Sequence, residues 1–508
     1  MSFVSMIVVM SKLPNALYRA EQVRELDRLA IEEHGILGEQ LMQRAGQAAF
    51  SLLQHHWPSA RSIAVICGGG NNGGDGYVIA KLAKDAGLQV SIYAVIDPQR
   101  LKGDAASMHE RCQLDNMAVH TAEQIQSLTG YDVIVDALLG TGLSGPVRDD
   151  FVCAIEHINQ SRRPVLAVDI PSGLSADTGA VMGQAVKATA TITFIGLKQG
   201  LFTAMGPSHC GQLHFDNLRV PPQAFLPVIP EAARLTMNSL SNRLGPRAPD
   251  AHKGHFGHVL IIGGNIGYQG AARLAAEAAA RVGAGLVSVA TRAMHANTLC
   301  SDRPEIMVHG VESVTDLNTL LQQASVIAIG PGLAQDDWAQ HMLGAVLQSD
   351  KPVIVDADAL NLLALEPARR DNWILTPHPG EAARMLQCQS VEIQQDRFAA
   401  VHKLQQQFGG VVVLKGAGTL IWAGDEPVGV CDYANPAMAS GGMGDVLTGV
   451  IAGLRAQQLG EARHNLLAAR LGVCVHAAAA AWCADEEGAR GMLALDLMPY
   501  LRDAVNPD

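Results

Sequence analysis

The chain has 508 residues, of which 48% are hydrophobic and 17% charged, and its formal net charge is −12. That length needs more than one core, and the acidic balance excludes the broad basic face that nucleic acid or an anionic membrane would require. Glycine is plentiful at 51 residues and aromatics are scarce at 4%, which suits buried Val- and Ile-rich parallel strands joined by tight turns.

At the start, the apolar run Phe3–Val9 lacks a basic region before it and is too short for an export signal, and Met6 or Met10 could replace Met1 as the start. A helix is predicted over Ala20–Glu33, because Val23, Leu26, Leu29 and Ala30 fall on one face. Strand-like runs follow at Ser62–Cys67, Val90–Ile96, Val133–Ala137, Pro164–Ile170 and Ala190–Ile195, with helix-length segments between them. From Pro221-Pro222 to about Asn242 there is neither strand nor helix rhythm, which places a domain boundary there. A second strand series runs through His258–Ile262, Leu286–Ala290, Ser325–Ile329, Pro352–Asp356, Asn372–Leu375 and Val411–Leu414. The Ala-rich stretch Leu471–Trp482, interrupted by His476, reads as too short to span a bilayer. Nine singly scattered cysteines without a CxxC pair argue against a disulfide framework or zinc site and for a reducing cytoplasm. The expected architecture is two α/β domains, over 1–228 and 234–508.

The first Gly-rich loop, CGGGNNGGDG, meets the GxGxxG pattern with Gly68, Gly70 and Gly73 after a strand. Asp97 closes the next strand at about the distance where dinucleotide folds place a ribose-binding acid. A tight turn alone would satisfy that pattern. Asn71, Asn72 and Asp75 add amides and a carboxylate at a helix start, suited to anion contacts and to oxygen ligation of a cation. Two further strands end on acids: Asp136, followed by a Gly-rich turn, and Asp169, with Ser172 three residues on. One such acid can be a helix cap, but three polar strand ends in one parallel sheet point to a shared ligand crevice.

In the second half, HVLIIGGNIGYQGAARLAAEAAARVGAG gives a strand, a Gly-rich turn and a helix whose small-residue face packs close to the sheet, with Gly270 and Ala271 at its start. Gly330-Pro331-Gly332, Asp356-Ala357-Asp358 and Thr376-Pro377-His378-Pro379-Gly380-Glu381 each follow a predicted strand. Lys415 leads another Gly loop. In NPAMASGGMGDVLTG, glycines precede Asp445 and an apolar helix, an arrangement of free N–H groups and a carboxylate that suits a transferring phosphoryl group and an attacking hydroxyl. His378, held between two prolines, is a candidate ligand contact, whereas His252, His255 and His258 lack ligand partners and read as structural.

NNGGDG, the DALLGTGLSGP block and DIPSG resemble the NAD(P)H-hydrate epimerase family over nearly all of residues 20–225. That resemblance implies a Rossmann-like three-layer α/β/α domain. It further implies that Asn71, Asn72, Gly73, Gly74 and Asp75, with Gly140, Thr141, Gly142, Leu143, Ser144, Gly145 and Pro146, hold the substrate's phosphates and ribose. Asp169 would be the acid/base at the hydrated ring, and potassium would sit among Asn72, Asp136 and Ser172. Gly-x-Gly-Asp before a helix resembles ribokinase-like phosphotransferases. HPGE, KGAGT and NPAMASGGMGD together are similar to the ADP-dependent NAD(P)H-hydrate dehydratase family over about residues 235–507. The implied roles are ADP contact for Lys415, Gly416, Ala417, Gly418 and Thr419, and phosphate contact for Gly444. Asp445, His378 and Gly332 would meet the hydrated dinucleotide, with Gly270 and Ala271 beside it. Met443 stands where the family more often has Thr, and its backbone N–H serves equally.

The two halves then fit one pathway in a cytoplasmic homo-oligomer. Both epimers of NADHX and NADPHX interconvert, and the S epimer is dehydrated while ADP becomes AMP and phosphate, with K⁺ at the first site and Mg²⁺ accompanying the nucleotide. The alternative is a ribokinase-like small-molecule kinase fused to a non-catalytic nucleotide-binding module.

Overall fold

Alternating apolar runs and amphipathic segments give, in the computed structural model, two α/β units, one over Lys12–Ala233 and one from Arg234 onward. The structure describes residues 13–457 and 464–506, so the Phe3–Val9 run and the alternative starts Met6 and Met10 lie outside it.

In the first unit, helix α1 (Ala20–Glu32) buries the face the periodicity marks, Val23, Leu26, Leu29 and Ala30. Helix α2 (Gly38–His56) follows, then β1 (Ser62–Cys67), α3 (Asn71–Asp85), β2 (Gln89–Ala94), β3 (Val119–Thr121), β4 (Val133–Ala137), β5 (Val165–Val168), β6 (Ala190–Phe194) and β7 (Gln212–Asp216). The strands lie parallel in the order β3-β2-β1-β4-β5-β6-β7. Strand order therefore reverses between β1 and β4, and the crevice outside their carboxyl ends is where such a sheet takes its ligand. The edge strands β3 and β7 carry His, Thr, Gln and Asp on partly exposed positions, so neither stands out as an apolar run in the sequence. Asp97 lies beyond the end of β2, exposed, and accepts from Gln99 N at 3.0 Å to cap a 3₁₀ turn. It does not face the crevice, so the ribose-binding reading does not hold.

The second unit contains β8 (His258–Ile262), α4 (Gln269–Arg281), β9 (Leu286–Thr291), β10 (Met307–Gly310), β11 (Val326–Ile329), β12 (Val353–Val355), β13 (Trp373–Leu375), β14 (Val411–Leu414), β15 (Thr419–Trp422), β16 (Val428–Cys431), α5 (Met443–Ala456) and α6 (His464–Glu487). Their order is β10-β9-β8-β11-β12-β13-β14-β15-β16, parallel as far as β14 and antiparallel beyond it.

Three expectations change here. The small-residue face of α4 packs on a helix as well as on the sheet: a Cβ at Gly449 of α5 would lie 2.0 Å from the Ala275 carbonyl oxygen. The stretch from Pro221 to Asn242 does contain regular structure, the strand Ala232–Leu235 and the short helix Met237–Leu240. That strand pairs with Ala16–Tyr18, far away in sequence, and such pairing leaves no local rhythm to read. The Ala-rich stretch belongs to a 24-residue helix, α6, long and apolar enough to cross a membrane, but 83% of its apolar window is buried inside the unit as a core helix. All nine cysteines are free thiols.

Candidate active sites

In the first unit, the turn from β1 into α3 is drawn tight by close backbone approach. A Cβ at Gly68 would meet the Leu138 carbonyl oxygen at 1.8 Å, and one at Gly73 would meet the Gly68 carbonyl at 2.1 Å. Gly73 thus sits against the Gly68 turn, Gly74 sits against Met42 and Ala105 of the helices Gly38–His56 and Gly103–Leu114, and neither lines the cavity that opens at the strand ends. That cavity, of about 730 Å³, is lined by Asn71, Asn72, Asp75, Gly140, Thr141, Gly142, Leu143, Ser144, Pro146 and Asp169; Gly145 lies outside its lining.

Asn72 is 7% exposed, and neither its amide oxygen nor its amide nitrogen has a hydrogen-bond partner. A buried amide left unsatisfied is costly and marks a place for a ligand or ion. Asp136, at the end of β4, is fully buried and accepts from Ser172 N at 2.8 Å, Ser172 Oγ at 2.5 Å and Leu138 N at 3.3 Å. Burial pushes its carboxyl up to about 6 despite those hydrogen bonds. Asp136 and Ser172 lie behind the cavity lining to which Asn72 belongs, and a desolvated carboxylate and an orphaned amide are the donor types that suit a monovalent cation.

Asp169 follows β5 with φ +67°, a left-handed conformation that costs an L-residue of order 1–3 kcal/mol. The strain turns its carboxylate into the cavity: a Cβ at Gly140 would be 3.8 Å from Asp169 Oδ2 and 3.5 Å from Asn72 Cβ. Lys198, 1% exposed, donates to that carboxylate, and Phe194 N donates to it at 3.3 Å. Lys198 also lines the cavity, as does Asp27 of α1. The sequence reading missed both.

In the second unit the site forms at the carboxyl ends of β11 to β14 and the start of α5. Asp356, 1% exposed, follows β12 and bridges Lys415 Nζ and Thr448 Oγ1, each at 2.7 Å. Lys415 N donates to the Pro377 carbonyl at 2.9 Å, joining the KGAG loop to the HPGE segment. Buried Arg397 supports the same loop from beneath, donating to the Leu414 and Lys415 carbonyls at 3.0 and 3.3 Å. Thr419 Oγ1 closes it by donating to the Gly416 carbonyl at 3.0 Å. Burial works against the charge on Lys415, but Asp356 and Glu381 outweigh it and raise the ammonium's pKa.

His378 caps the helix Pro379–Met385, its Nδ1 accepting from Gly380 N at 2.9 Å and Glu381 N at 3.3 Å. Burial, then Lys415 and Arg384, lower its pKa, so the ring is neutral and keeps a proton on Nε2, 3.4 Å from Glu381 Oε1. The ring remains half exposed, open to a ligand. Gly442 precedes α5 with φ +88°, and no side chain caps that helix, so its first N–H groups are free for an anion. A Cβ at Gly444 would lie 3.5 Å from Lys415 Nζ, and one at Gly442 would lie 4.0 Å from Asp445 Oδ2. Asp445 is pushed up to about 7 by burial and by Asp356, with Lys415 opposing.

Gly332, at φ +58°, sits against the start of α4, where its Cβ would be 3.1 Å from Ala271 Cβ, and the space around Gly270 is open. Leu274 of the same helix reaches Gly442, so these groups border the Asp445 site. The histidine cluster is structural: the His252 and His255 rings stack at 3.7 Å, and His258 bonds Ser288 Oγ at 2.8 Å.

Comparison with known proteins agrees with both halves. Residues 38–200 match the family described as YjeF-related protein N-terminus, and residues 259–502 match the family described as NAD(P)H-hydrate dehydratase. The chain is 50% identical to the bifunctional NAD(P)H-hydrate repair enzyme of Coxiella burnetii over 97% of its own length and 99% of that protein. It is 45% identical to the enzyme of the same name from Escherichia coli, covering 98% and 95%. The solved structure of a hypothetical protein from Streptococcus mutans is 33% identical and covers 54% of this chain and 98% of that one, with a TM-score of 0.50. A small-molecule kinase joined to an inert module is thereby set aside. Matched in order and at nearly full length, the chain belongs to the bifunctional NAD(P)H-hydrate repair enzymes, with an epimerase half followed by a dehydratase half.

Proposed function

We propose that the two sites divide the repair of hydrated NADH and NADPH between Asp169 and Asp445. In the first cavity, Asn71, Asn72 and the Gly140–Pro146 turn hold the phosphates and ribose of NADHX or NADPHX, and Asp169 exchanges protons at the hydrated ring. Asn72, Asp136 and Ser172 would hold K⁺, which when bound supplies positive charge beside a buried carboxylate and an anionic substrate. What supports that assignment is the Asn72 amide, buried with neither atom paired.

In the second site, Lys415, Gly416, Ala417, Gly418 and Thr419 contact ADP, and the N–H groups around Gly444 take its phosphates. Gly332, His378 and Asp445 meet the S epimer, with Gly270 and Ala271 beside it. Asp445 removes the proton from the C6 hydroxyl as that oxygen takes the β-phosphoryl group, leaving AMP. The ring nitrogen's lone pair then expels phosphate, and loss of a C5 proton restores NAD(P)H. Mg²⁺ is the nucleotide's companion. When bound with the nucleotide it would neutralise charge on the phosphates. Nine free thiols suit work in a reducing cytoplasm.

The observation that carries this reading is Asp445, desolvated to near-neutral pKa beside an uncapped helix start. The test mixes both hydrate epimers with the protein, with and without ADP, and follows recovery of reduced-nicotinamide absorbance and AMP. Complete recovery of both epimers only with ADP is expected, and recovery without any AMP would refute it.

A further inference from the structure

The first cavity holds more proton-carrying groups than the roles above use. Lys198 lies on the two-residue strand Leu197–Lys198, in register with Tyr18 of Ala16–Tyr18, which draws a lysine into the interior. Besides Asp169, its ammonium donates to Thr193 Oγ1 and the Phe194 carbonyl, both at 3.0 Å, so its N–H groups are all engaged and the cation is fixed on Asp169. Asp75, 8% exposed in the second turn of α3, and Asp27 on α1 line the same cavity. Lys198's N–H groups are spent elsewhere, so neither of these two carboxyls is ion-paired to it. Burial raises Asp75 well above the usual carboxylate range, with Asp169 and Asp27 adding to it; burial brings Asp27 to about 6, against Lys198. Asp104, Arg24 and Arg148 are the other charged groups of the lining.

Resting on the reading of Asp169 as acid/base, we propose that Lys198 assigns the carboxyl roles in this cavity: it holds Asp169 as the base and leaves Asp75 as the acid for the departing hydroxyl. The step balances. The C6–O bond breaks as Asp75 protonates the hydroxyl, water leaves, and the ring nitrogen's lone pair forms the C=N⁺ bond. Water then adds to the opposite face, forming the new C6–O bond, and its proton goes to Asp169. Lys198 favours return of that proton to Asp75, which resets the pair. The same two groups exchange roles when the reaction runs the other way, as an epimerase requires.

The test follows epimer interconversion by the full-length protein against pH, in ¹⁸O-labelled water, without ADP. Asp75→Asn, a neutral isostere of a neutral acid, should lower kcat about 10²-fold and remove the alkaline limb of the profile. Lys198→Gln should lower kcat, and Lys198→Arg, which can keep the contact with Asp169, should restore it. Asp27→Asn removes a negative neighbour of Asp75, so the alkaline limb should move to lower pH, which a merely structural role would not produce. Label should enter the inverted epimer. Parental rate and limb in Asp75→Asn, parental kcat in Lys198→Gln, or absence of label each overturns the proposal. Parental activity in Asp169→Asn would instead overturn the reading beneath it, and the thermal midpoint of each variant shows whether it is folded.

Discussion

Asp445→Asn is the most demanding perturbation of the dehydratase half, because the structure fixes both its size and its pH signature. The carboxyl is raised to about 7 by burial and by Asp356, against Lys415. A base with that pKa is ionised in about one-tenth of molecules at pH 6 and about nine-tenths at pH 8, so wild-type turnover at saturating ADP should rise about tenfold across that interval. A carboxyl in its ordinary range would give a flat profile there. Replacing it by the isosteric amide removes the proton acceptor, a loss of about 10²–10⁴ in kcat or roughly 3–5 kcal/mol of transition-state stabilisation. Nucleotide affinity should persist, since Lys415 and the N–H groups at Gly444 are untouched, and the epimerase half should be spared. AMP release and epimer interconversion can be followed in one reaction. A flat wild-type profile between pH 6 and 8, or parental AMP release by Asp445→Asn, would refute the assignment.

Other perturbations test other parts of the chain. If Asn72, Asp136 and Ser172 hold K⁺, the salt should raise the thermal midpoint by mass action, a bulky organic cation should not, and Asn72→Ala should abolish the difference; equal midpoints in both salts for wild type would remove the site. Gly442→Ala forces an L-residue to φ +88° and brings a Cβ to 2.5 Å from Leu274, so it should cost about 1–2 kcal/mol, lower the melting temperature and slow AMP release while leaving epimerisation intact. His214 Nε2 lies 3.1 Å from His56 Nε2, and burial, then His56 and His55, lower its pKa to about 4. The unfolded chain therefore binds this proton first, and stability should fall as pH drops from about 6.5 towards 4; calorimetry should show a shallower decline for His214→Asn, and an unchanged slope would show that the pair does not govern it.

The acids at strand ends were legible because a strand terminus is a local event. Asp136, Asp169, Asp356 and Asp445 each follow an apolar run or a glycine string, and the fold needs only to bring those ends together. The partners that set their chemistry were not legible. Lys198 stands within TFIGLKQG, where a lysine reads as solvated, and it is buried only because a two-residue strand pairs with a segment some 180 positions earlier. Asp27 sits on the helix whose apolar periodicity was plain, yet its position reads as part of the polar face until the cavity is seen. Asp356 was visible as a marker, but its bonds to Lys415 and Thr448 span 59 and 92 residues and leave no spacing signature. Gly73 and Gly74 show the converse. Their motif is conspicuous, yet they serve close packing around the start of α3, and the cavity lining falls to Asn71, Asn72 and Asp75.

Each site sets one lysine among several carboxyl groups, and the two differ in where that lysine is spent. In the first unit the ammonium of Lys198 rests on Asp169 itself, the carboxylate proposed to face the ring. In the second, Lys415 bonds Asp356, which is tied in turn to Thr448 of α5, and among the described residues no ion pair forms on Asp445. A cation in direct contact stabilises the charged carboxylate, whereas a carboxyl that is desolvated and denied one titrates near neutrality. The chemistry asks for that difference. Epimerisation returns the hydroxyl to the same carbon and needs a base that re-ionises after every turnover. Dehydration begins with a hydroxyl that must lose its proton beside an incoming anionic phosphoryl group, where a weakly basic carboxylate would hold that proton poorly and a base near pKa 7 holds it well. The placement of a single lysine in each unit thus separates a carboxylate in direct contact with a cation from one that is desolvated and left without that contact.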